Sequence, residues 1–82
     1  MEGESKMIKE LETVVLLRDL PEHDLNRGDI GAVVHRYSGG NAFEIEFVTG
    51  EGHTIAVVTL DDRDVRPMHA NEILHARELK AA

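Results

Sequence analysis

The sequence contains no cysteine and no tryptophan among its 82 residues. Without thiols there can be no disulfide, no thiolate zinc site and no cysteine nucleophile, so the fold must rest on packing alone. Aromatic residues are limited to Tyr37, Phe43 and Phe47. That is too few to line a groove for proline-rich peptides, or to stack single-stranded bases, while also filling a core. No apolar run approaches the roughly 20 residues of a membrane helix, and the first six residues lack the apolar stretch of a secretory signal. Cytoplasm is the expected compartment. Positive charge is also scarce, with 9 Lys and Arg against 16 Asp and Glu for a net charge of −7. Between Glu12 and Met68 five arginines (Arg18, Arg27, Arg36, Arg63 and Arg66) face eleven carboxylates. A body of this sign repels phosphate backbones unless those arginines gather on one face, so the composition weighs against nucleic acid.

What is present reads as a succession of short strands in one domain, residues 10–68, preceded by a disordered polar lead over residues 1–9. Thr13 to Leu17 is a continuous apolar run, expected of a strand buried on both faces. A long loop follows, with Leu20 and Leu25 tucked beneath it. Gly28-Asp29-Ile30-Gly31 then turns the chain sharply into a second strand ending at Tyr37. Glycine permits positive φ there and lets a neighbouring strand approach closely, while Asp29 bonds local backbone. Ser38-Gly39-Gly40-Asn41 is a hairpin signal. Ala42 to Val48 alternates with period two, directing Phe43, Ile45 and Phe47 inward and Glu44 and Glu46 to water. His53 to Leu60 supplies the fourth strand. Asp61-Asp62-Arg63-Asp64 suits a single helical turn, and Val65-Arg66-Pro67 a brief fifth strand.

The expected architecture is therefore mainly β: a five-stranded SH3-like barrel with a short C-terminal helical tail over residues 69–82, where Asn71 is a plausible cap. Its core is expected to comprise Val14, Leu16, Leu25, Ile30, Val34, Phe43, Ile45, Phe47, Ile55, Val57 and Val65.

Chemistry-bearing patterns are sparse. The five histidines (His23, His35, His53, His69 and His75) form no His-x-His or His-x-x-x-His pair, so solvated or partly buried histidines are expected and no metal. Ser5 and Ser38 lack the context of a nucleophile. Gly28-Asp29-Ile30-Gly31 opens a strand, not a helix, so it is no phosphate loop, and no cofactor is implied. Asp61-Asp62-Arg63-Asp64 lacks the glycine and distant glutamate of a calcium loop. Carboxylate pairs can run acid and base chemistry in a pocket, which a shallow barrel does not offer. A protein without catalytic activity is expected.

The stretch Glu10 to His23, followed by Leu25, Gly28-Asp29-Ile30-Gly31-Ala32-Val33-Val34 and Phe43-Glu44-Ile45-Glu46-Phe47, resembles the short bacterial family called Domain of Unknown Function 4926, over about Leu11 to Pro67. That resemblance implies a small SH3-like barrel acting as an accessory or partner-binding protein, with no activity to transfer. Gly28 to Val34 is also similar to the turn and strand of KOW-type barrels.

These readings converge on a protein-binding module, antitoxin-like or accessory to a basic protein encoded nearby, acting as a monomer or homodimer. Its expected contacts are Glu22, Asp24, Glu44, Glu46, Asp61 and Asp62, with Gly28, Asp29, Gly31, Gly39 and Gly40 as turn residues. The alternative is a KOW-like module contacting RNA, or the transcription or translation machinery, through the five arginines.

Overall fold

The computed structural model describes residues 8–79. Met1 to Met7 of the lead and Lys80 to Ala82 of the tail lie outside the described residues. Five strands, β1 (Thr13–Leu16), β2 (Ile30–Arg36), β3 (Ala42–Val48), β4 (Thr54–Asp61) and β5 (Val65–Pro67), form one antiparallel sheet in the order β4-β3-β2-β1-β5. β4 and β5 are its edges, and a tight turn connects them through the bond from the Asp64 N–H to the Asp61 carbonyl (3.0 Å). That turn stands where a helical turn was expected. The one described helix is instead a 3-10 turn over Pro21–His23. Proline at its first position has φ preset for the turn, and Asp24 closes it with φ 59°.

β3 divides the sheet most cleanly. Phe43, Ile45 and Phe47 are buried while Glu44 and Glu46 stay partly exposed, as the alternation demands. Around those three side chains pack Ile8, Val14, Leu16, Leu20, Leu25, Val33, Leu60 and Val65. Leu20 and Leu25 reach this core because their backbones pair across the 3-10 turn. Ile8, from the end of the lead, also belongs to it.

Two expected core positions face outward. Val34 is 43% exposed and Val57 is 52% exposed. In β2 the register shifts between Val33 and His35, so Val33, opposite Ile45, takes the inward place. In β4 the shift falls between Phe47 and Val48; beyond it Ala56, Val58 and Leu60 lie opposite Phe47, Ile45 and Phe43, and Val57 lies opposite Glu46. A one-residue slip moves a strand's side chains to the other face. Ile30 and Ile55 are half-buried, with Ile55 packed against the core.

The two glycines of the Gly28 to Gly31 turn do different things. Gly28 takes φ +96°. Gly31 lies opposite Val14, and a Cβ there would stand 2.6 Å from Ile45 Cγ2 and 2.9 Å from Phe47 Cε1. The first glycine makes the turn and the second admits the core.

The expected helical tail does not form over its described residues. A turn closes between the His69 carbonyl and the Glu72 N–H, and residues 73–79 run on as neither helix nor strand. Ile73, Leu74, Ala76 and Leu79 do not line up on one helical stripe, and so short a helix is marginal without a face to bury. Ion pairs from Glu72 to Arg66 of β5 and from Arg77 to Asp29, in the turn before β2, hold the tail instead.

Candidate functional site

The outer face of β2, β3 and β4 carries a set of hydrogen-bonded polar side chains. Glu44 and Glu46 project from it two residues apart, opposite Thr59 and Val57 of β4. Glu44 accepts hydrogen bonds from the Tyr37 hydroxyl and from the Thr59 hydroxyl (2.6 Å), and Glu46 accepts one from the Thr54 hydroxyl (2.6 Å). The Thr59 and Tyr37 bonds hold the Glu44 carboxyl below its ordinary value. Exposed Val34, Tyr37, Val48 and Val57 accompany the carboxylates. The face combines fixed negative charge with apolar side chains left in water.

Tyr37 reports on this arrangement because it is the single tyrosine. The hydrogen bond to Glu44, with burial and the Glu44 charge behind it, raises its phenol above the ordinary value of 10.0. An ultraviolet titration is expected to place the tyrosinate midpoint above 10, and Glu44→Gln is expected to bring it down toward the ordinary value. A midpoint unchanged by the substitution would remove the bond from the account.

Of the other expected contacts, Glu22 and Asp61 both lie near Arg18, and Asp62 lies near Arg63. Asp61, the last residue of β4, pairs with Arg63 (3.0 Å) of the β4–β5 turn that also contains Asp62, and Asp64 pairs with Arg18 (2.8 Å). Glu22 and Asp24 lie on the 3-10 loop. Asp24 offers a backbone carbonyl to Arg77 (2.8 Å). Of the five arginines in the alternative reading, Arg18, Arg63 and Arg66 each pair with a carboxylate of the chain itself. The Arg36 guanidinium lies against Gly40 of the β2–β3 hairpin, and the Arg27 backbone N–H donates to Asp19. Among the described residues no three His, Asp or Glu side chains gather in a way that could hold a metal ion. No helix among them is long and apolar enough to cross a membrane.

A second polar centre joins the tail to the sheet. Asp29 is 8% exposed, and its carboxylate accepts the Asn26 N–H (2.8 Å). It also accepts Arg77 Nε (2.8 Å) and Nη2 (2.6 Å), and His75 Nε2 lies 3.3 Å away. Burial pushes this carboxyl up, but the Arg77 and Asn26 hydrogen bonds, the Arg77 charge and His75 together outweigh it and hold it below its ordinary value. Sequence reading assigned Asp29 only to its turn and missed Arg77, 48 residues away, because no local pattern connects them.

Upstream, Glu72 takes both Arg66 Nη1 (2.9 Å) and Nη2 (2.6 Å), together with the His69 N–H (2.7 Å). Those bonds, Arg66 first, lower the Glu72 carboxyl from an ordinary 4.5 to about 2. A carboxyl depressed in the folded state stabilises fully above its unfolded value and loses that contribution as pH falls through the folded one. Acidification from pH 4.5 to about 2 is therefore expected to release the His69 to Glu72 turn. Carboxyl carbon NMR of Glu72 checks this, and a midpoint at the ordinary value would contradict it.

A model of the family described as Domain of unknown function (DUF4926) matches residues 10–67, and the chain belongs to that family. No curated protein and no solved structure matches it.

Proposed function

We propose that this family member is a non-enzymatic protein-binding module, accessory or antitoxin-like, whose outer β3 and β4 surface docks a basic partner. The observation that carries this reading is the Glu44 and Glu46 pair, held by three hydroxyl donors beside exposed valines. Carboxylates fixed in place lose little conformational freedom on binding, and adjoining apolar side chains gain from leaving water. The remaining negative charge would steer a cationic partner toward the surface. The scaffold is an SH3-like barrel, a reading supported by the strand order and the long first loop. Cytoplasm is the proposed compartment.

The test compares the full chain with its Glu44→Gln/Glu46→Gln variant in binding the purified products of neighbouring genes at low and high salt. Binding by the unaltered chain at low salt, weakened about tenfold or more by the double substitution and by added salt, is the expected result. Binding indifferent to both, or none, would count against the face. A gel shift with mixed RNA at low salt is expected to show no complex, and a clear shift would favour the arginine-based alternative.

A further inference from the structure

Residues 73–79 run as a strap beside the turn before β2 and the β3–β4 connection, and an open cleft of about 710 Å³ lies between the strap and Leu25, Ile30, Phe47 and Ile55. The strap covers this cleft poorly. Ile73 is 93% and Leu74 69% exposed, so little apolar surface leaves water when the segment lies down. With neither helix nor strand of its own, the segment beyond Glu72 is fastened chiefly where Arg77 and His75 meet Asp29. A segment held at one point opens at low cost.

The acceptors of that clasp belong to the body of the fold. The Asp29 carboxylate is oriented by the Asn26 N–H, and the Asp24 carbonyl stands at the end of the 3-10 turn. Both lie within residues 10–67, the span that matches the family, whereas Arg77 lies beyond it. A sunken carboxylate and a carbonyl, both aimed at one guanidinium and bordered by an apolar floor, make a recognition site for arginine. The chain's own Leu74-His75-Ala76-Arg77-Glu78-Leu79 shows the spacing it accepts, since Leu74, Arg77 and Leu79 all line the cleft.

We propose that the Asp29 site and the cleft beside it bind an extended segment of a partner protein carrying an arginine followed two residues later by a large apolar residue, and that residues 74–79 lie over them in cis as an autoinhibitory strap, with Arg77 in the arginine position. The site meets the Glu44 and Glu46 face only at Val48 and uses neither carboxylate, so it stands or falls independently of it. A tethered strap competes at high effective concentration, so a free segment binds weakly until the clasp is released.

The probe is a fluorescent peptide copying residues 71–79, followed by anisotropy on the full chain. Arg77→Ala, which unfastens the strap, is expected to bind it about tenfold or more tightly than the unaltered chain does. A probe with its arginine changed to glutamine is expected to bind Arg77→Ala about tenfold or more weakly. Asp29→Asn in the Arg77→Ala background is expected to abolish binding with circular dichroism unchanged. The two probes keep the test decisive if Asp29→Asn fails to fold. Equal binding of the two probes by Arg77→Ala, no binding by it, or no gain over the unaltered chain would overturn the proposal.

Discussion

Gly31→Val is expected to leave no folded protein at ambient temperature. A Cβ at this position would stand 2.6 Å from Ile45 Cγ2 and within 3.1 Å of two Phe47 ring carbons, and valine adds two further methyl groups. All of these neighbours belong to buried side chains in the middle of the sheet, with β1 on the other side of Gly31. Overpacking typically costs about 1–3 kcal/mol for added methylenes that can be partly accommodated. Three added carbons pressed against buried side chains lie at or beyond the upper end of that range, and a domain this small has a total stability near the lower end of about 5–15 kcal/mol. Gly31→Ala is the graded version, expected to cost about 2–3 kcal/mol in urea unfolding. Gly28→Ala separates steric from backbone effects. Nothing lies within 4 Å of its Cβ, so the expected cost is the left-handed backbone term of about 1–2 kcal/mol. Equal losses at the two glycines would contradict the close approach at Gly31.

Phe43→Ala is expected to cost about 3–5 kcal/mol, which removes most of the stability of such a domain. Phe43 is among the largest fully buried side chains and lies opposite Leu60 of β4 and Arg36 of β2, so no neighbouring element can collapse into the space without breaking register. Val57→Ala, on the same sheet but exposed, is expected to stay within about 0.5 kcal/mol. Chemical denaturation of both variants checks the contrast. A large loss at Val57 with a small one at Phe43 would mean that β4 pairs in the other register.

These contrasts show where the sequence was legible. β3 could be read residue by residue because strict alternation of Phe, Glu, Ile, Glu and Phe admits only one inward face. β1 was legible as a strand buried on both faces, and Val14, Val15 and Leu16 are all buried. The strands beside β3 were harder, because runs such as Ala32-Val33-Val34 and Ile55-Ala56-Val57-Val58 have apolar residues of both parities. Two register shifts decide which of them point inward, and a shift leaves no mark in such a run. The tail was misread for a related reason. Its residues favour a helix individually, yet Glu72 is drawn back to Arg66 and Arg77 is drawn to Asp29, contacts that exist only once the sheet has assembled. Of the candidate sites, the Glu44 and Glu46 face was visible from alternation alone. The hydroxyls that fix it come from Tyr37, Thr54 and Thr59 of neighbouring segments, and the Asp29 clasp required the fold.

The docking role proposed for the outer β3 and β4 face is tested most directly by residue-resolved amide NMR of the full chain titrated with a lysine-rich peptide at low salt. Perturbations gathered at Glu44, Glu46, Val57 and Thr59, and lost in the Glu44→Gln/Glu46→Gln variant, are the predicted result. Perturbations spread evenly over all the carboxylates, or unaltered in that variant, would contradict it.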